Sequence, residues 1–112
     1  MIFGKREKKQ EKKGGSVISR NIYEGKGRLM WCQRHSPSNP ADNGWRFLSD
    51  IDTKEYCRDP RNFVVVAWET VVAIEPEVEK IFDLPIGSDL ALDFDEFDEK
   101  HFFDVETEEL VI

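Results

Sequence analysis

The chain has 112 residues, enough for one domain with a modest core. It is 39% hydrophobic and 12% aromatic, which excludes a chain disordered throughout. Its net charge is −7, but residues 1–14 carry six Lys or Arg against two Glu, a balance of +4, which leaves −11 for the rest. An acidic body repels nucleic acid and anionic membranes and attracts basic partners.

Residues 1–15 read as a disordered basic tail. Lys, Glu and Gln dominate it after a short apolar tip, Met1-Ile2-Phe3, and Gly14-Gly15 closes it. Residues 16–112 are expected to form a single domain. Val17-Ile18-Ser19 is short and β-prone, and Gly25-Lys26-Gly27 marks a turn. Arg28 to His35 reads as a strand carrying Leu29, Met30, Trp31 and Cys32. Residues 36–44 are almost wholly turn-formers. Trp45-Arg46-Phe47-Leu48 follows as a second strand, with the two rings on one face and Arg46 on the other. The pair predicts a hairpin with a long connection.

Asp50 to Asn62 is polar, with room for one helical turn at Thr53–Cys57 before Pro60. Phe63 to Trp68 is the longest apolar run and the best strand on composition; it is far too short to span a membrane. Glu69 to Ile74 fits a helical turn, and Pro76 opens a second that carries Val78, Ile81 and Phe82 and stops at Pro85. Leu90, Leu92 and Phe94 alternate with Ala91 and Asp93, as in a half-buried strand. Phe102 to Val105 supplies a last strand, and Leu110-Val111-Ile112 is an apolar end. The expected fold is α+β: a small antiparallel sheet of four to six strands with one or two short helices on one face.

Five candidate sites follow from residue type. Cys32 and His35 stand as C-x-x-H, with Cys57 and His101 able to complete four zinc ligands; but the second pair lies 44 positions apart, and structural zinc sites pair close ligands. No metal or other cofactor is therefore expected. Asp93, Asp95, Asp98 and Glu99 lack the Gly and the closing Glu of a calcium loop, since Asp98 and Asp104 occupy those places. No G-x-S-x-G, H-E-x-x-H or phosphate-cradling loop is present, so catalysis has no motif behind it. Arg46, delivered by a turn between Trp45 and Phe47, is either a surface residue at a hairpin entry or part of a binding surface. The stretch Asp93–Glu109 holds nine acids against Lys100, interleaved with Phe94, Phe97, Phe102 and Phe103. It serves as a solvated face over core rings, as a docking surface for a basic protein, or as both. The residues carried forward for partner binding are Arg46, Asp93, Asp95, Asp98 and Glu99.

The series Val17-Ile18-Ser19-Arg20, Asp42-Asn43-Gly44-Trp45-Arg46-Phe47, Glu55-Tyr56, Asp59-Pro60 with Asn62-Phe63, and Pro85-Ile86-Gly87-Ser88 resembles the bacterial Imm33-like family. The resemblance covers Ser16 to about Asp104 and leaves out the basic tail. It implies an immunity protein, which neutralises a toxin by stoichiometric binding, and it carries over no catalytic or ligand residue. The expectation is a cytoplasmic, non-enzymatic protein whose partner is a protein, a basic toxin domain, with no nucleic acid and no membrane. With no leader in residues 1–15, both thiols are expected reduced. The alternative is a small-ligand domain or enzyme with a pocket lined by Trp31, Trp45, Trp68 and Cys57.

Overall fold

The computed structural model describes residues 13–112. Six strands form one sheet: β1 (Gly15–Ser19), β2 (Leu29–Arg34), β3 (Asp42–Ser49), β4 (Phe63–Ala67), β5 (Asp89–Phe94) and β6 (Lys100–Asp104). Their order is β4-β1-β3-β2-β5-β6. The long hairpin expected between residues 28 and 48 is β2–β3, paired Cys32 with Phe47. The sheet is mixed and not purely antiparallel, because β1 lies parallel to β3. The cause is local. Ser19 ends β1 by accepting the Asn21 N–H at 3.1 Å, which starts the one-turn helix α1 (Arg20–Tyr23). The chain then crosses to β2, and β1 is left to fill the place between β3 and β4.

Two further helices follow. Thr53 caps α2 (Lys54–Cys57), accepting from Tyr56 N at 3.0 Å. The apolar run 63–68 divides: five residues make β4, and Trp68 opens α3 (Trp68–Ile74). Pro60–Asn62 and Pro76–Ile81 are 3-10 turns, each with its Pro where no N–H is needed. Helices α1 and α3 and the 76–81 turn cover one face of the sheet, with Ile22, Trp68, Val71, Val78 and Ile81 in the core. α2 lies against the opposite face, where Tyr56 meets Phe63 with ring centroids 6.3 Å apart.

Period-two alternation places Ile18, Cys32, Trp45, Phe47, Leu90, Leu92 and Phe102 on the covered face, all essentially inaccessible. Trp45 stacks on Phe47 at 5.9 Å and 9°, and Trp68 meets Phe82 edge-on at 4.7 Å. The indole N–H of Trp45 donates to Phe82 O at 3.1 Å, so its one polar atom is satisfied. Arg34 closes the rim, donating to the carbonyls of Asn43, Phe82 and Leu84 at 2.8–3.0 Å with its guanidinium over Trp45 and Phe82.

The expected tail is shorter at its C-terminal end, because Lys13 to Gly15 are engaged: Gly15 opens β1, Gly14 O accepts from Trp68 N, and Lys13 O accepts from Asn43 Nδ2. The rest of the tail, residues 1–12, lies outside the described residues. At the other terminus, residues 109–112 run along the outer side of β6, with Asp104 N donating to Glu109 O and Val111 N to Phe102 O, both at 2.8 Å.

Candidate functional site

The β5–β6 hairpin carries the acids singled out above. Its loop is organised by Asp95, whose carboxylate accepts from Phe97 N at 2.8 Å and Glu99 N at 2.9 Å and meets His101 Nε2 at 2.8 Å. The backbone closes the same turn through Asp95 N to Glu99 O and Asp98 N to Asp95 O. Asp98 takes φ +64°, a conformation that Asp and Asn tolerate better than bulky residues. The Glu99 and Phe97 N–H groups, with His101 beside them, hold the Asp95 carboxyl below the usual carboxylate range. Asp95 is thus a structural residue of the loop. Asp93 is half-buried, accepts from Phe94 N and lies 3.6 Å from Arg28.

Glu96, Asp98 and Glu99 are exposed, and among the described residues no ion pair reaches them. The four interleaved phenylalanines separate. Phe102 is core and Phe103 half-buried. Phe94 is 43% exposed between the cations of Arg28 and Lys100, at 5.2 and 5.9 Å from its ring. Phe97 stands 77% exposed at the hairpin tip. Lys100 reaches inward to the buried Glu75 and so ties β6 to the end of α3.

Arg46 is not part of that surface. Trp45 pairs with Arg34, and Gln33 with Asp89, so the start of β5 lies toward Arg46 and the hairpin tip at the far end of the sheet. Nor is Arg46 a free surface cation. It forms a bidentate pair with Asp42, at 2.9 and 2.8 Å, with only 22% of its side chain exposed. Asp42 also accepts from Ser38 N, Ser38 Oγ and Gly44 N at 2.7–3.0 Å, and the Arg46 guanidinium holds its carboxyl far below the usual range. Its neighbour Asn43 joins Ser16 Oγ, Trp45 N and Lys13 O. Gly44, at φ +89°, would put a Cβ only 2.3 Å from His35 O. The D-N-G-W-R-F segment is therefore a built junction between β1, β3 and the 36–41 loop.

The four candidate zinc ligands do not assemble. Cys32 is sealed in the core, and burial pushes its thiol up; Cys57 lies on the opposite face, its thiol raised by burial and then by Asp52. His35 is exposed beside Gln33, and His101 is engaged with Asp95. Asp95, Glu99 and His101 do bring ligand atoms within 4.8 Å of one another, but the Asp95–His101 bond and the two backbone N–H groups already use that carboxylate. The residues of the alternative pocket divide as well. Trp45 and Trp68 are core, whereas Trp31 and Cys57 line a wide, open groove of about 490 Å³ with Leu48, Lys54, Asp89 and Val105. No helix among the described residues is long and apolar enough to cross a membrane.

The chain is thus a small α+β domain with one mixed sheet, a filled aromatic core on one face and an acidic hairpin projecting from one end. Residues 16–103, most of its length, match the Immunity protein Imm33 domain, and the chain belongs to that family. No curated protein and no solved structure matches it. The resemblance carried by the D-N-G-W-R-F segment holds at the level of the family, and the segment itself serves the scaffold.

Proposed function

We propose that this protein neutralises a toxin in the bacterial cytoplasm by stoichiometric binding, without a cofactor and without catalysis. Membership of an immunity domain family supports a protein partner. The observation that carries the reading further is Phe97: a large apolar ring, 77% exposed, at the tip of a hairpin between Glu96, Asp98 and Glu99. Exposed single apolar residues are ordinary, but an aromatic set among acids that no ion pair reaches among the described residues is the composition of an anchor with a polar rim. The acids would steer a basic toxin domain to the tip and the ring would fill a pocket on it. Asp93 and Asp95 would act by shaping the hairpin, and Asp98 and Glu99 by facing the partner. Arg46 would contribute through the scaffold.

The test is capture from the native host at low and high salt, with wild type and Phe97→Ala as baits. A single protein retained by wild type at low salt, weakened by salt and by Phe97→Ala, is the expected result. Recovery of no protein in either buffer, or equal recovery by both baits, would count against the hairpin as the docking site.

A further inference from the structure

The two edges of the sheet are finished differently. The outer side of β6 is occupied by residues 109–112. The outer side of β4 is met by no strand among the described residues. Edge strands are usually blunted by a charge, a Pro, a bulge or a covering segment, because open N–H and C=O groups template further pairing. β4 is Phe63-Val64-Val65-Val66-Ala67 and has none of the first three.

The groups that β4 leaves open follow from its register. Trp68 N donates to Gly14 O, in register with the pairing of Ser16 to Val66 and Ile18 to Val64, so these are the hydrogen-bonded pairs. Phe63, Val65 and Ala67 point their backbone groups outward. Phe63 N–H is used by Pro60 O, and Ala67, the N-cap of α3, gives its carbonyl to the first helical bond. Among the described residues, what remains is two donors, the N–H groups of Val65 and Ala67, and two acceptors, the carbonyls of Phe63 and Val65.

We propose that this edge pairs with the same edge of a second copy of the chain, antiparallel about a two-fold axis at Val65. Under that operation Val65 exchanges both bonds with the partner's Val65, and Ala67 N–H donates to the carbonyl of the partner's Phe63. All four open groups are satisfied in each chain, and the two groups already used are not called on. Side chains agree. Val65, 74% exposed on the open face, packs on its own copy, and Phe63 faces the partner's Ala67. The flanks agree too. Arg20 and Arg61 stand at one end of β4 beside Asp59, and Glu69 at the other, so the antiparallel arrangement brings basic end to acidic end while a parallel one would not. A two-fold contact of this kind closes on itself and forms no open chain. The strand order keeps both acidic hairpins away from the junction, one at each outer edge of a twelve-stranded sheet.

Sedimentation or light scattering from low to high micromolar concentration tests the pairing, on wild type, Val65→Lys and Val65→Pro, with far-UV circular dichroism as a folding control. Val65 is exposed and its N–H points outward, so Val65→Lys leaves the single-chain fold intact. Wild type should reach the mass of two 13.1 kDa chains, and Val65→Lys should fall to one. Val65→Pro, where folded, should do the same. A wild type of one-chain mass throughout overturns the proposal, whether residues 1–12 or a partner protein's strand then covers the edge. A two-chain mass unchanged in Val65→Lys overturns it equally.

Discussion

Removing the Asp42 carboxylate should destabilise the domain more than removing its Arg46 partner. Asp42 accepts five hydrogen bonds, two of them from Arg46, and its side chain is only 9% exposed. Arg46→Ala deletes the charged pair and a bond to Trp45 O but leaves Asp42 with Ser38 and Gly44. Asp42→Ala leaves a half-buried guanidinium without its acceptor and frees the start of β3 from the 36–41 loop. Exposed pairs are worth about 0–1 kcal/mol, and breaking a fully buried one costs about 3–5. This pair lies between, so Arg46→Ala should cost about 1.5–3 kcal/mol and Asp42→Ala about 2–4, consistent with hydrogen bonds to charged groups. Urea unfolding of both single variants and the double variant measures this, with a coupling of about 1–2 kcal/mol expected in the cycle. In a domain of this size each kcal/mol moves Tm by about 4–8 °C. Additivity within about 0.3–0.5 kcal/mol, the value for independent sites, would refute the pair as a structural element.

Acid should act through the same residue. The folded-state carboxyl of Asp42 is depressed, so its contribution is complete above the unfolded value near 3.8 and drains away as pH falls below it. Asp42→Asn should therefore lose less stability between about pH 5 and pH 2 than wild type, in urea titrations at fixed pH. Trp45→Ala should cost roughly 3–5 kcal/mol, since the ring is wholly buried against Phe47 and Phe82; a loss below about 1 kcal/mol would mean the core is not closed there. Maleimide labelling should modify Cys57, slowly because its thiol is raised, and leave Cys32 untouched until denaturant is added; labelling of Cys32 in the native protein would contradict its burial.

Much of the fold could be read from residue patterns. The alternation in 45–48 and 90–94 gave faces as well as strands, because each strand buries one side only. The parallel placement of β1 was not legible. It depends on pairing across 27 to 29 residues, for which Val17-Ile18-Ser19 holds no local signal, and the one-turn helix at Arg20–Tyr23 is too short for any period to show. The hairpin acids were visible as a cluster, but not their division into Asp95, spent on the loop, and Asp98 and Glu99, facing solvent. That division is set by which backbone N–H groups the turn directs inward. Strand alternation puts Arg46 opposite the two rings, as a surface residue or as part of a binding surface, and does not show its pairing with Asp42. The i−4 carboxylate was in plain sight at Asp42, but a strand of extended spacing does not bring such residues together. The positive φ of Gly44 bends β3 where Arg46 reaches back.

The proposed docking of a partner at the acidic hairpin tip is tested most directly by the rate of association. With the captured partner immobilised, the joint replacement Glu96→Gln, Asp98→Asn and Glu99→Gln should slow association at low salt while dissociation changes little, because rim charges act mainly on the on-rate. The difference from wild type should vanish toward 1 M salt, where the screening length is about 3 Å. Stability should hold, since none of the three side chains is engaged in an ion pair among the described residues. An association rate equal to wild type and insensitive to salt would contradict the account and leave these acids with solubility alone.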